Sequence, residues 1–323
     1  MNVPARMTLS AAIAVLSALA LAQEYGPAGK PAAKTEPVPP LVREGATVKI
    51  SEHVHLIPDG KVGMVPNVGI IVGTRGTLVY DPGMGRVSGE AVLREVKKVA
   101  KGPELYIVNS HFHPEHTTGE MAFPAGARIL RAAAQQQDVE ELGMKWVQTF
   151  ASRSPVIAGV LEGFTAFRAP TELFEREKVL DLGGVRVRII RLGPGHTRGD
   201  TVAFVEGDRV LFSGDLAMKD LFPAFATPQS SGRTWLTSLD EMDKLKAKVV
   251  IGAHYPVGDA SMISDYRNYF RALQARVVEL KKAGKSSDDI AVEVRNEFAK
   301  KYPDWAQPLR VHQAAVVLYR EAE

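Results

Sequence analysis

The strongest constraint on this chain is a cluster of histidines that directly follows a short apolar run. Leu105–Val108 is typical of a buried strand. The residues after it, NSHFHPEH, supply His111, His113, Glu115 and His116 within six positions. Neutral imidazoles and carboxylates are ligands that zinc and its first-row neighbours accept. This stretch alone fits either a metal site at a strand end or a solvated polar turn.

Three further predicted strands lead into a loop with a possible ligand. They are Val185–Ile189 before His196, Arg209–Ser213 before Asp215, and Lys248–Ile251 before His254. Five of the eight histidines therefore follow predicted strands, which is where layered α/β folds place their ligand residues. Seven donors in all are enough for two metal ions that share a carboxylate.

Composition narrows the choice of partner and ligand. The chain has 323 residues, of which 45% are hydrophobic, so it can build a sizeable core. Its net charge is only +3 and no basic run stands out, so we expect a small-molecule substrate and no nucleic acid. Cysteine is absent, so a metal must sit on histidine and carboxylate. The oligomeric state is left open.

The first residues resemble an export signal. Arg6 precedes the apolar run Leu9–Leu21, and Ala20-Leu21-Ala22 fits a small-residue cleavage site. The run is shorter than the ~20 residues that a membrane-spanning helix needs, so we expect no stable membrane anchor. We predict a signal peptide at 1–22, a tether rich in proline and alanine at 23–44, and a periplasmic or secreted protein.

The remaining pattern predicts an α/β domain at 45–260 and a helical extension at 261–323. Strand-like runs and a helix precede the histidine cluster: Val48–Ile57, Gly69–Val72, Thr77–Tyr80, and a helix over Ser88–Ala100. Segment 131–178 contains scattered aromatics and no histidine, and it is interpreted as an insertion that either lines a pocket or simply packs. In the extension, Tyr266, Tyr269 and Phe270 begin one apolar helix face.

His111-x-His113-x-Glu115-His116, followed in order by His196, Asp215 and His254, resembles the metallo-β-lactamase superfamily. The resemblance covers roughly 48–255 and implies a four-layer αββα sandwich with the metals at the edge between its two sheets. Asp81, at the end of a predicted strand, is similar to an early aspartate of the family that is not normally a ligand.

The resemblance also implies a role for each donor. His111, His113 and His196 would hold a first metal, His116 and His254 a second, and Asp215 would bridge them. The family usually has aspartate where this chain has Glu115, which is one methylene longer. We expect two zinc ions, with manganese or iron as the alternative at the second site because a carboxylate suits harder metals.

The function that the resemblance implies is an exported zinc-dependent hydrolase. A metal-bound hydroxide would attack an ester, thioester, lactone or lactam carbonyl, and Glu115 or Asp215 would take the proton. The bridging aspartate is similar to the glyoxalase II and lactonase branches. Two alternatives stay open: an iron-dependent persulfide dioxygenase, and a metal-binding envelope protein without catalytic activity.

Overall fold

The computed structural model describes residues 38–322. The predicted signal peptide at 1–22 and most of the predicted tether at 23–44 lie outside the described residues, so both stay predictions. The described chain folds into two β-sheets with helices on their outer faces, which confirms the predicted αββα sandwich with C-terminal helices.

The first sheet has seven strands that follow one another in chain order, β1 to β7. Their bounds are β1 Val48–Lys49, β2 Val54–Ile57, β3 Val68–Val72, β4 Gly76–Tyr80, β5 Glu104–Val108, β6 Arg128–Ala132 and β7 Glu172–Phe174. Strands β1 to β4 form an antiparallel meander, and β4 to β7 pair in parallel. All residues of β3 and β4 are buried because both faces of this sheet are covered.

The second sheet has five strands in the order β12, β11, β10, β9, β8. They are β8 Glu177–Asp181, β9 Arg186–Arg191, β10 Thr201–Val205, β11 Val210–Gly214 and β12 Val249–Gly252. Strands β8 to β11 pair antiparallel, and β11 pairs in parallel with β12. Strands β9, β11 and β12 therefore all run in the same direction.

The helices occur in two groups, one with each sheet. Those associated with the first sheet and its loops are α1 Gly85–Val99, α2 Pro114–Thr117, α3 Ala133–Asp138, α4 Met144–Ala151 and α5 Pro155–Val160. A short 3-10 helix, Thr118–Ala122, follows α2, and a π-helical turn, Val139–Gly143, joins α3 to α4. The second sheet is covered by α6 Gly232–Lys244 and by the C-terminal helices α7 Ser261–Lys282, α8 Ser287–Lys301 and α9 Leu309–Glu321.

Three apolar cores separate the four layers. One lies between the sheets and contains Leu78 and Phe212, and a second lies between the first sheet and α1 and contains Val79 and Val92. Leu78 and Val79 are neighbours whose side chains enter different cores, as the two-residue period of a strand requires. The third core joins the second sheet to α6–α9 around Trp235.

Two regions differ in detail from the sequence-based prediction. The predicted strand Val48–Ile57 is two short strands, because the chain turns back on itself and pairs Val48 with Leu56. Segment 131–178 begins within β6 and ends within β8, so both sheets use its ends. Its status as an insertion stays a prediction, and its helical part is the stretch 133–160.

Within residues 38–322, none of the helices combines the length and the apolar character needed to cross a membrane.

The contact between the two sheets leads to a prediction about Gly69 in β3. A Cβ atom added there would lie 2.5 Å from Phe212 Cε1, inside the core between the sheets. We expect Gly69→Ala to lower the free energy of unfolding by about 1–3 kcal/mol, the usual cost of overpacking. Urea denaturation measures the change. Gly126→Ala is the control, since a Cβ there meets no atom within 4 Å, and equal stability of both variants would contradict the prediction.

Candidate metal centre

The predicted ligands lie together because five strands end at the same edge of the sandwich. In the first sheet, the parallel strands β4 and β5 lead to Asp81 and to the loop 109–116. In the second sheet, β9, β11 and β12 run in one direction and lead to His196, Asp215 and His254. Loops at the carboxyl ends of such strands meet at one sheet edge, where layered folds place ligands.

Hydrogen bonds join the two sheets at this edge. The Thr201 amide donates to the Ser110 carbonyl at 2.7 Å, and the Tyr80 hydroxyl donates to the Thr201 carbonyl at 2.7 Å. Within the second sheet, the Ala253 amide donates to the Gly214 carbonyl at 2.9 Å. The loops that carry the predicted ligands are thus tied to one another through their backbones.

The first group of donors consists of His111, His113 and His196, all buried. His113 Nδ1 lies 2.9 Å from His111 Nε2 and 3.3 Å from His196 Nε2. Ligand nitrogens around a tetrahedral zinc with bonds of about 2.0–2.1 Å are separated by roughly 3.3 Å. The three ring nitrogens are therefore spaced as ligands of one ion would be.

The second group consists of Glu115, His116 and His254. Glu115 Oε1 lies 3.8 Å from His116 Nε2, so the longer side chain reaches this group. Asp215 lies between the groups: its Oδ2 is 3.5 Å from His196 Nε2, and its Oδ1 is 3.9 Å from His254 Nε2. The structure thus brings together all seven predicted donors in three overlapping groups, which are His111, His113 and His196, then His111, His116 and Asp215, then Glu115, His116 and His254.

The chemistry of these donors fits bound metal. Among the described residues, Glu115 Oε2, His116 Nε2 and Asp215 Oδ1 are buried atoms that have no hydrogen-bond partner. An unpaired buried polar atom of this kind is costly, and a bound cation removes the cost. The first group presents three ring nitrogens to one another, an arrangement that a cation between them would stabilise.

Four of the five histidines have a partner at the ring nitrogen that faces away from the centre. The Nδ1 contacts are His111 with Ser110 Oγ at 3.0 Å, His116 with Asp81 Oδ2 at 3.0 Å, His196 with the Ala224 carbonyl at 2.6 Å, and His254 with the Val65 carbonyl at 2.8 Å. For the last three, an acceptor at Nδ1 places the ring proton there and leaves Nε2 for a metal.

Asp81, the partner of His116, is held by its backbone conformation and by a contact at each carboxylate oxygen. Its backbone has a φ of +58°, a left-handed conformation that aspartate tolerates better than most residues. Its Oδ1 accepts the Ser110 amide at 2.6 Å while Oδ2 faces His116. Burial disfavours the charged ring, but Asp81 and then Glu115 outweigh burial and raise the pKa of His116 to about 9. The negative charges that favour a proton on His116 would also favour a metal cation there.

Burial acts on the pKa values of five other donors. Burial, followed by the neighbouring imidazoles, lowers the pKa of His111 and His113 well below their usual range, and burial lowers that of His196. Burial raises the pKa of Glu115. Burial acts in the same way on Asp215, but His196 and the other facing imidazoles overcome it and lower the pKa of Asp215. Neutral imidazoles and an ionised aspartate are the forms that bind metal.

Some supporting residues could not be found from the sequence. The Asn67 side-chain amide donates to the carbonyls of Gly252 and Tyr255, on either side of His254, at 2.9 and 2.8 Å. The Ala224 and Val65 carbonyls orient ligands through backbone atoms, which leave no signal in the residue type. Trp146 stacks on His113 with ring centroids 4.2 Å apart. In the sequence, this contact is indicated only by the scattered aromatics of segment 131–178.

The fold and this set of histidines and carboxylates define an α/β sandwich with a candidate metal centre at its edge. The family model of the metallo-β-lactamase superfamily matches residues 62–254, which is more than half of the chain. The protein belongs to the metallo-β-lactamase superfamily.

Two curated relatives are named as hydrolases. The chain is 23% identical to a linear primary-alkylsulfatase from Pseudomonas sp. over 260 residues, 70% of this chain and 49% of the relative. It is 28% identical to an acyl-coenzyme A thioesterase from Homo sapiens over 167 residues, 46% of this chain and 57% of the relative. The chain thus spans about half the length of the curated relatives it matches.

Solved structures share the fold. The sec-alkylsulfatase Pisa1 from Pseudomonas sp. matches with a TM-score of 0.65 and 17% identity, over 85% of this chain and 50% of that one. A metallo-β-lactamase from Pontibacter korlensis matches with a TM-score of 0.54 and 20% identity, over 70% of this chain and 98% of that one. At such low identity these likenesses establish the architecture alone.

The contact between Asp81 and His116 leads to a prediction about metal affinity. We expect Asp81→Asn to weaken metal binding at the second group by about 10–100-fold, because the ring loses its charged partner. Competition with a chromophoric chelator measures the affinity. Asp208→Asn is the matched control, since Asp208 Oδ1 contacts His53 Nδ1 at 2.7 Å outside the metal centre. Equal affinity in both variants would show that Asp81 does not support the site.

Glu115→Asp tests the departure from the family pattern. We expect this variant to retain two metal ions per chain, since it keeps a carboxylate on α2 and restores the residue usual in the family. Glu115→Gln removes the charge and should weaken the second group. Metal content is measured after gel filtration without chelators, and loss of an ion from Glu115→Asp would show that the length of glutamate is required.

Proposed function

We propose that this protein is a metal-dependent hydrolase with two zinc ions, acting on an ester-type bond. The observation that carries the proposal is the set of overlapping donor groups, which contain unpartnered donor atoms and have Asp215 between His196 and His254. When bound, zinc lowers the pKa of a coordinated water to about 7 and polarises the bond under attack. His111, His113 and His196 would hold one ion, and Glu115, His116 and His254 the other.

The chain's own residues supply orientation and proton transfer. The Nδ1 partners Asp81, Ala224 and Val65 hold their rings so that the other nitrogen points into the centre. The carboxylates of Glu115 and Asp215 are the buried oxygen acceptors in the centre, and we assign proton transfer to them. Trp146 covers one face of His113 and helps to keep bulk water from that side.

The half-buried Trp146, at the edge of a buried apolar cluster beside the centre, supports an ester or thioester of an apolar group as the substrate class. Met64, Met84, Val147 and Phe150 belong to a hydrophobic cluster against which Trp146 packs. The curated relatives are named as an alkylsulfatase and an acyl-coenzyme A thioesterase. Lactones and lactams present the same carbonyl chemistry and belong in the same test. The signal peptide predicted at 1–22 supports action in the periplasm or outside the cell.

The number of donors favours the hydrolase over the iron-dependent dioxygenase. A mononuclear iron site of the facial type needs two histidines and one carboxylate. The described residues bring together five histidines and two carboxylates in three overlapping groups of possible ligands. Such an arrangement suits a pair of ions that act on an attacking and a leaving atom.

The test is a substrate panel with protein purified without chelators and then loaded with zinc. We expect about two zinc ions per chain and turnover of an ester or thioester. His111→Ala should lower kcat/KM at least a hundredfold, since a ligand matters more than its supporting partner, whose loss costs about 10–100-fold. His312→Ala is the matched control, because His312 lies on α9 and is not among the grouped donors.

The panel contains aryl esters, thioesters, lactones, lactams and sulfate esters, and an oxygen electrode follows the reaction with a persulfide. Oxygen uptake by iron-loaded protein, without hydrolysis of any ester, would contradict the proposed hydrolase and support the dioxygenase. Metal binding without turnover of any substrate would favour a metal-binding envelope protein.

A further inference from the structure

One face of α4 connects the metal centre to a positive charge. Trp146, Phe150 and Arg153 are spaced four and three residues apart, so they share one face of α4 and of the turn that follows it. Trp146 stacks on His113 at 4.2 Å with an interplanar angle of 27°. Phe150 lies 5.9 Å from Trp146, and the guanidinium carbon of Arg153 lies 3.8 Å above the Phe150 ring.

This face combines buried and accessible parts. Phe150 is fully buried and anchors the helix in the apolar cluster, whereas Trp146 and Arg153 are half-buried. Arg153 is held in place by the Phe150 ring and by Met64, to whose Sδ its Nη1 donates at 3.5 Å. A guanidinium stays charged and carries several donors in one plane, a geometry that matches the oxygens of an oxyanion.

Ring contacts place Arg153 near the centre. The Phe150 ring, on which the guanidinium of Arg153 stacks, lies 6.3 Å from the His113 ring between centroids. A single aromatic ring therefore separates Arg153 from a donor of the first group. The π-helical turn Val139–Gly143 precedes this helix, and such turns are frequent at functional sites.

We propose that this face of α4 selects the substrate: the apolar part of the substrate lies along Trp146, and Arg153 binds an oxyanion such as a carboxylate. The substrate class is then an amphiphilic anion, an ester or thioester whose apolar chain carries a negative group. This inference rests on the proposed function for its reaction, but the binding of such an anion can be tested without it. Trp146 and Arg153 are specificity-determining residues that take no part in bond cleavage.

The kinetic test uses two esters with equal acyl chains. The 4-nitrophenyl ester of hexanoic acid is neutral at its far end, and the mono-4-nitrophenyl ester of adipic acid carries a carboxylate there. With zinc-loaded full-length protein, we expect a higher kcat/KM for the adipate ester. Arg153→Gln should lower the adipate-to-hexanoate ratio about tenfold, mainly through KM, because a charge-assisted hydrogen bond is lost. Arg153→Lys should recover part of it.

A matched control separates recognition from the loss of one positive charge. Lys145 is exposed on the same helix, and Lys145→Gln removes the same charge from α4. We expect this control to keep the wild-type ratio, and both variants to keep the wild-type zinc content. A ratio that is unchanged in Arg153→Gln, or that falls equally in both variants, would overturn the proposal while leaving the hydrolase intact.

Binding without turnover provides the second measurement. Octanoate and octanamide are titrated into the zinc-loaded protein, and tryptophan fluorescence reports binding. We expect octanoate to bind more tightly, Arg153→Gln to weaken octanoate about tenfold, and Trp146→Phe to remove most of the signal. If neither ester is hydrolysed but this pattern holds, the proposed function fails and the anion site stands. Equal binding of octanoate to Arg153→Gln and Lys145→Gln would rule the site out.

Discussion

Seven donor groups, six of them buried and His254 partly buried, meet at one edge of this sandwich, and the rest of the structure depends on how they are held there. Ring nitrogens of His111, His113 and His196 face one another, and carboxylate and imidazole atoms of the second group lack hydrogen-bond partners among the described residues. A protein interior does not tolerate such groups unless a cation compensates them. The scaffold must therefore keep the donors in place with contacts that do not use their metal-facing atoms.

Those contacts extend far into the fold. The loop that orients His196 through the Ala224 carbonyl is hydrogen-bonded to the connection between α8 and α9. The Phe222 amide donates to the Ala306 carbonyl at 3.1 Å, and the Ala306 amide donates to the Asp220 carbonyl at 2.8 Å. The C-terminal helices thus cover the second sheet and also support a ligand loop. This explains physically why a metal centre made between residues 111 and 254 is followed by three further packed helices.

The opposite side of the centre is built by the helical stretch 133–160. Its apolar cluster holds Phe150 in the interior and leaves Trp146 half-buried against His113. The two sides of the centre therefore differ in character. On the side of the second sheet, hydrogen bonds orient the ligands. On the side of α4, the protein presents an aromatic ring and a positive charge, which are better suited to select a substrate.

The sequence by itself determined the donors and their place on strand ends, because ligand type and the apolar runs before them are local properties. It also predicted the sandwich, through the resemblance carried by His111 to His254. Only the tertiary structure decided which donors face one another, that Glu115 reaches the second group, and that Trp146 lies on His113. These contacts depend on the direction of the side chains and on the positions of loops 58–67 and 220–225. The backbone carbonyls of Val65 and Ala224 orient two ligands, and a backbone atom leaves no signal in the residue type.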